Sequence, residues 1–177
     1  PLDKVKSWRY VNQDVSTNPD FCCNAEEIPL KEGSIDGFLL CEVLEHLESP
    51  EEVLREAFRL LRKGGQGWIT MPFLYQLHAD PHDFQRWTDE KIRQVLTDVG
   101  FLVNEVQPMG GVGAVVYDLW YATLCRSPNQ GNFWSKVGFR IHRHSSGLFN
   151  RLDQYLAHTR PFMTTGWAIR LEKPLTK

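Results

Sequence analysis

Short apolar runs alternate with amphipathic stretches over the first two-thirds of the chain, the pattern of an α/β domain built on a largely parallel sheet. The clearest run places Ile35, Phe38, Leu39, Leu40 and Cys41 in near succession after the turn Lys31-Glu32-Gly33. It predicts a strand, Ile35 to Cys41, covered on both faces. Val53, Leu54, Ala57, Leu60 and Leu61 then recur at helical spacing. Ser49 is the expected N-cap, Pro50 suits the first turn because its missing N–H would have no partner there, and Glu52 completes a capping box. At the far end Arg62 and Lys63 would complement the helix dipole, and Gly64 would take the left-handed conformation that stops the helix. Trp68 to Met71 is the next strand. The unit reads strand, helix, strand, and a right-handed crossover makes the two strands parallel neighbours.

Tyr10 to Asp14 and Phe21 to Asn24 are weaker strand candidates. After Pro72 a long connection runs to Trp87, and connections of that length in a compact domain are usually functional or disordered. Thr88 caps a second amphipathic helix carrying Ile92, Val95, Leu96 and Val99, Gly100 ends it, and Phe101 to Val106 returns as a strand. Val112 to Leu124 and Lys136 to Ala157 read as helices separated by the polar turn Ser127 to Asn132, and Thr165 to Leu171 as a final strand. The chain reads as one domain, 1–177. Residues 1–111 form the core and 112–177 a helical substrate or lid segment closed by the last strand. Within that segment His142, Arg143 and His144 read as a solvated helix face.

The 177 residues carry 20 Lys plus Arg against 22 Asp plus Glu, a formal net charge of −2, which speaks against an electrostatic nucleic-acid binder. With 42% hydrophobic and 24% charged residues, the composition is that of a soluble globular domain. Cys22, Cys23, Cys41 and Cys125 form no CxxC pair and are expected to be small buried hydrophobes in a reducing compartment. No window reaches the roughly 18 apolar residues of a membrane span. Val112 to Cys125 is too short and contains Asp118. With no leader pattern visible, the expected location is cytoplasmic. The first residue is Pro1 rather than Met, which reads as a processed or cut chain.

An open parallel sheet binds ligands outside the carboxyl ends of its strands, so Asp14, Asn24, Ala25, Cys41, Glu42 and the Pro72 to Trp87 loop are the positions of interest. An acid in the place of Asp14 can accept hydrogen bonds from vicinal ribose hydroxyls, or simply cap a turn.

Four strings carry a resemblance: Asn24-Ala25-Glu26-Glu27-Ile28-Pro29-Leu30, Gly33-Ser34-Ile35-Asp36, Cys41-Glu42-Val43-Leu44-Glu45-His46-Leu47 and Leu60-Leu61-Arg62-Lys63-Gly64-Gly65. In this order and spacing they resemble the class I S-adenosylmethionine-dependent methyltransferases. The loop Leu77-His78-Ala79-Asp80-Pro81-His82-Asp83-Phe84-Gln85-Arg86-Trp87-Thr88 is similar to that of the small-molecule type. The resemblance covers roughly Tyr10 to Gly111. It implies a Rossmann-like three-layer sandwich with a mostly parallel sheet and a reversed last strand, and S-adenosylmethionine as cofactor. It also implies that Asp14 holds the ribose, that Asn24 and Ala25 touch the adenine, and that Cys41 and Glu42, with His46 nearby, approach the methionine part. Asn24 stands where the family usually has Asp, and Lys63 where it usually has Pro. No glycine-rich stretch precedes Asp14, so the first strand and its glycine loop are expected to be missing, leaving the strand Ile35 to Cys41 with an unpaired edge.

The loop admits three roles. His82, or secondarily His78, serves as a general base beside the accepting atom, with Tyr75, Phe84, Arg86 and Trp87 lining the substrate wall. Alternatively, His82, Asp83 and Arg86 simply tie the loop down. Third, His78 and His82 ligate a metal with Asp80 or Asp83, but Pro81 spoils the helix that spacing needs, so no metal site is expected. The functional expectation is methyl transfer to a small-molecule acceptor, with no nucleic-acid or membrane partner and with a homodimer as the candidate assembly. The alternatives are a non-catalytic methyltransferase-like binding module and a metal-dependent hydrolase using His78 and His82.

Overall fold

A computed structural model of the protein describes residues 11–12, 18–79, 82–125, 133–156 and 163–176. Strands β1 (Val11–Asn12) and β2 (Phe21–Cys22) pair in parallel as a small separate sheet. The main sheet holds β3 (Ile35–Cys41), β4 (Leu61–Pro72), β5 (Leu102–Met109) and β6 (Gly166–Glu172) in the order β3-β4-β6-β5. Helix α1 (Pro50–Leu60) links β3 to β4, and α2 (Asp89–Val99) precedes β5. Helices α3 (Val112–Cys125) and α4 (Phe133–Leu156) pack on each other.

The α/β class and the Rossmann-like methyltransferase architecture hold, with one correction to the pairing of strands. β3 and β4 are parallel as expected, whereas β4–β6 and β5–β6 are both antiparallel. The cause is the last strand. It inserts between β4 and β5, so a single reversed strand converts two of the three ladders while β3, β4 and β5 still run the same way.

Leu54, Leu61, Ile69, Met71, Leu96 and Leu171 are fully buried, and the core they form lies between α1 with α2 and one face of the sheet. The opposite face carries the row Leu39, Trp68, Arg170 and Glu105, placed side by side by strand register. Here the expected two-sided cover of β3 fails: Leu39 is 45% exposed and Cys41 is exposed. Among the described residues, α1 and α2 cover only the other face of the sheet, so the apolar run of β3 meets helices on one side only. The expectation that the cysteines are buried fails for the same reason at Cys41, and Cys22 is exposed on its short strand.

Local chemistry explains the helix ends. Pro50 opens α1 as expected, but Ser49 makes no side-chain cap, and Glu52 turns to Arg55 instead of closing a capping box. The helix stops at Leu60, so Arg59 is its last-turn base and Arg62 and Lys63 belong to β4. Arg62 pairs with the exposed Asp36. In α2 the expectations hold: the Thr88 hydroxyl accepts from the Lys91 amide, and Gly100 ends the helix at φ 113°, a conformation that penalises any Cβ.

The α3–α4 pair is fixed by a carboxylate. Asp153 of α4 accepts hydrogen bonds from the amides of Gly111 (3.1 Å), Gly113 (2.6 Å) and Ala114 (3.0 Å) at the start of α3. These amides have no partner within their own helix, and the negative charge suits the positive end of its dipole. Gly113 permits the approach, since a Cβ there would lie 2.3 Å from the Phe149 carbonyl oxygen. Asp153→Ala is expected to cost about 1–3 kcal/mol, and Asp153→Asn less. Thermal unfolding followed in the helical circular-dichroism band checks this, and an unchanged midpoint in the alanine variant would refute the cap.

Candidate functional site

The carboxyl ends of the parallel pair β3 and β4 lie side by side, with Cys41 opposite Thr70. Glu42 follows at once and donates its amide to the Thr70 carbonyl at 3.1 Å. Its φ is +52°, a left-handed conformation that costs a residue bearing a Cβ roughly 1 kcal/mol. Strain of this kind persists where the surroundings enforce it, and it turns the chain sharply away from the strand end. A short 3-10 helix, Leu44–His46, comes next.

The long loop after β4 docks on that 3-10 helix. Phe84 donates its amide to the Glu45 carbonyl at 2.8 Å, and Gln85 donates from its side-chain amide to the carbonyls of Leu44 (3.0 Å) and Leu47 (2.9 Å). The oxygen of the same Gln85 amide accepts from the Trp87 indole at 2.9 Å, while the Trp87 carbonyl accepts from the Trp167 indole at 3.0 Å. Asp83 and Arg86 form a two-pronged ion pair, with 2.8 Å between Nη2 and Oδ2, and Asp83 also accepts the His78 amide at 3.0 Å. The Arg86 guanidinium holds the Asp83 carboxyl down at about 2, against a burial effect in the other direction. The tying role expected of this loop is thus carried by Asp83, Arg86 and Gln85.

Three side chains converge beneath the loop. Glu45 is 0% exposed, and neither carboxylate oxygen has a hydrogen-bond partner among the described residues. Its Oε1 lies 3.6 Å from His46 Nε2 and 3.8 Å from His78 Nε2. Burial pushes the Glu45 carboxyl up, and its own amide and the two imidazoles offset this only in part. The His46 and His78 rings meet edge-on at 5.0 Å, and Tyr75 stands edge-on to His78 at 5.6 Å. His78 is therefore brought to Glu45 and His46 rather than to His82. The exposed His82 ring lies against Phe84 instead, at 5.3 Å, and its carbonyl accepts from His46 Nδ1 at 2.5 Å.

The other expected site residues scatter. Asn24 and Ala25 sit in the turn after β2, in the other sheet. The Asn24 side chain accepts from the Glu26 amide and donates to the Glu26 carboxylate, both at 3.2 Å. That turn is anchored to α1, where Glu56 accepts from the Ile28 amide at 2.8 Å and Arg59 donates to the Ile28 and Leu30 carbonyls. Asp14 lies outside the described residues, as do Asp80 and Pro81. Trp87 is 7% exposed within the core, and the Arg86 guanidinium is committed to Asp83.

A cleft of about 700 Å³ opens between Tyr75 and the α3–α4 pair, lined by Tyr117, Asp118, Tyr121, Phe139, Arg140 and Arg143 among others. The expectation that His142 belongs to a solvated face is overturned, because it is buried. Its ring stacks on Tyr117 at 3.8 Å, and its Nε2 lies 3.1 Å from the Tyr117 carbonyl. Burial pushes the Asp118 carboxyl up, with His142 opposing. Sequence reasoning missed this cleft because its aromatics are distributed over two helices whose pairing the apolar pattern does not specify.

Residues 3–69 match a family described as methyltransferase domain. The mitochondrial 2-methoxy-6-polyprenyl-1,4-benzoquinol methylase of Caenorhabditis elegans is 42% identical over 45 residues, 25% of this chain and 16% of that protein. Among solved structures, the [4+2]-cyclase SpnF superposes with a TM-score of 0.54 at 18% identity, over 88% of this chain and 56% of that one. A putative sarcosine dimethylglycine methyltransferase from Galdieria sulphuraria gives 0.50 at 15% identity, over 88% of this chain and 58% of that one. The chain thus spans about a sixth of the curated relative and somewhat more than half of these structures. Among the described residues no helix is long and apolar enough to cross a membrane. Residues 3–69 thus resemble a methyltransferase domain, and the described residues share the fold of these solved structures.

Proposed function

We propose that the chain takes part in methyl transfer from S-adenosylmethionine to a small-molecule acceptor. The observation that carries this reading is the junction at the carboxyl ends of β3 and β4. There Cys41 and the left-handed Glu42 lead into the 3-10 helix bearing His46, on which the loop carrying Tyr75, His82 and Phe84 docks. Cys41 and Glu42 would approach the methionine part of the cofactor, and Asn24 and Ala25, with Asp14, its nucleoside. The acceptor would enter the cleft beside Tyr75, where aromatic walls and the two arginines suit a ring bearing an anionic group.

Catalysis would rest mainly on aligning the nucleophile with the sulfonium methyl, because the donor is already reactive. A base is needed where the nucleophile carries a proton. His82 suits that task better than His78, since its ring is exposed at the rim while His78 is engaged with Glu45. The same fold also serves the cyclase above, so fold alone does not decide the reaction. Calorimetric titration with S-adenosylmethionine is the deciding experiment. Tight binding supports the reading and eliminates the non-catalytic module, whereas no binding by the folded chain overturns cofactor binding by these 177 residues and does not separate truncation from the non-catalytic module. Given binding, His82→Ala should lower turnover by roughly 10²–10⁴-fold with cofactor affinity nearly unchanged. Equal loss of both would remove His82 from the chemistry.

A further inference from the structure

We propose that Glu45, His46 and His78 form a binding site for a first-row divalent cation of the zinc type, which clasps the loop after β4 to the 3-10 helix after β3. One potential ligand atom from each residue lies within 4.8 Å of the other two. The arrangement differs from the His78 and His82 pairing that sequence spacing offers. It draws instead on two elements that meet only in the fold.

Hydrogen bonding fixes the tautomers. A backbone carbonyl only accepts, so a ring nitrogen facing one must carry a proton. His46 Nδ1 faces the His82 carbonyl at 2.5 Å, and His78 Nδ1 faces the Gln76 carbonyl at 3.2 Å. Both rings therefore direct Nε2 toward the Glu45 carboxylate. Backbone carbonyls behind metal-binding imidazoles commonly do this, orienting the ring and leaving the other nitrogen free to ligate.

The gaps at the centre then need an occupant. Separations of 3.6 and 3.8 Å are too long for hydrogen bonds, whose N···O distances lie near 2.7–3.2 Å. Tetrahedral ligands about 2.0–2.1 Å from a zinc ion stand roughly 3.3–3.4 Å apart. The two gaps to Glu45 need to close by only a few tenths of an ångström to reach that spacing, and the two imidazole nitrogens lie within 4.8 Å of each other. The two carboxylate oxygens are buried with no hydrogen-bond partner among the described residues, a costly state that a cation would relieve. The Arg86 guanidinium gives Nη1 and Nη2 to Asp83 and makes no hydrogen bond to Glu45. Two imidazoles and a carboxylate are a donor set favoured by zinc and its neighbours, and three protein ligands leave a fourth position open. Since His46 and His78 are both partly exposed, an ion can enter from solvent.

The test uses the full chain without an affinity tag. It combines elemental analysis after purification with titration by Zn²⁺ and by Co²⁺, whose visible spectrum reports ligand type. One equivalent of metal is expected, with a thermal midpoint that rises on binding. His46→Gln and His78→Gln should each weaken binding by at least about tenfold while circular dichroism shows the fold retained. Glu45→Gln, which keeps the buried volume, should do the same. His82→Gln should bind metal like the parent chain, because His82 contributes its backbone carbonyl and not its ring. The proposal is overturned if the folded chain takes up no stoichiometric metal. It also falls if uptake survives both histidine substitutions, which would move the metal elsewhere, for example to Cys22 and Cys23. Because metal uptake is read without cofactor or acceptor, failure here leaves the methyl-transfer reading standing, and the reverse also holds.

Discussion

Arg86→Ala is expected to cost about 3–5 kcal/mol at neutral pH, because it strands a carboxylate that the fold has already taken out of water. Asp83 is 5% exposed, and after the substitution its hydrogen-bond donor among the described residues is the His78 amide. The loss should also carry a pH signature. The Asp83 carboxyl is held at about 2 in the folded chain, below its ordinary value of 3.8. A group with a depressed folded pKa stabilises above its unfolded pKa, and that contribution disappears as pH falls through the folded value. The shift corresponds to about 2 kcal/mol, present above pH ~4 and lost toward pH ~2. Denaturant unfolding of the parent and Arg86→Ala chains across this window should therefore show their difference shrinking as the solution is acidified. A difference that stays constant down to pH ~2 would mean that lost packing of the arginine stem, rather than the ion pair, accounts for the effect. Asp83→Asn and the double variant complete a cycle in which the two sites should couple strongly, since they share two contacts.

How much of this could be read from the sequence depends on where each signal resides. The run Ile35 to Cys41 appears as β3 with those bounds, and Thr88 and Gly100 bracket α2 as their side-chain chemistry requires. Both signals are local. The failures involve partners that local pattern does not name. Leu39 reads as buried because it sits in an apolar run, but exposure is set by whether something covers that face of the sheet, and among the described residues the helices α1 and α2 cover the other. Ser49 has the composition of a cap and does not act as one, because the Glu52 amide donates to its backbone carbonyl rather than to its hydroxyl. His142 sits between charged residues, yet the pairing of α3 with α4 buries it against Tyr117. At the candidate site, the loop's histidines were legible as chemistry but their grouping was not. Pro81 argues against a helical pairing of His78 with His82, and nothing in the spacing of 45, 46 and 78 announces that a 3-10 helix and a distant loop will meet.

The same distinction separates the residues that hold the loop from those that could act on a substrate. Tyr75 and Phe84 are exposed, and His82 lies against Phe84. Gln85, Arg86 and Trp87 turn inward and are consumed in ties. A single sequence presents all six as one polar and aromatic string. The structure divides them by direction, with Asp83 and the run Gln85 to Trp87 anchoring the backbone that presents His82 and Phe84. An anchored loop with outward-facing aromatics is what positioning of an acceptor requires, since alignment is the main contribution such a site can make.

Trp87→Ala tests that division most directly, and it is expected to lower stability by about 3–5 kcal/mol, the usual cost of removing a large aromatic side chain from a core. The indole packs with Leu44, Ile69, Met71, Ile92, Leu96 and Ile169, leaving about 10 Å³ of free space among them, so truncation opens a cavity that rigid neighbours on four elements cannot fill. It also removes the donor to the Gln85 side chain, whose amide links the loop to the carbonyls of Leu44 and Leu47. For a domain of this size the thermal midpoint should fall by roughly 10 °C. Trp87→Phe separates packing from hydrogen bonding. It keeps most of the volume and orphans one acceptor, so it should cost nearer to 1 kcal/mol. Were Trp87 instead part of a substrate wall, Trp87→Phe would raise the Michaelis constant for the acceptor and Trp87→Ala would leave the melting temperature within a degree or two of the parent. A core role predicts the reverse order: large thermal effects that grade with volume lost, and acceptor binding that changes only as the loop carrying Tyr75, His82 and Phe84 comes loose.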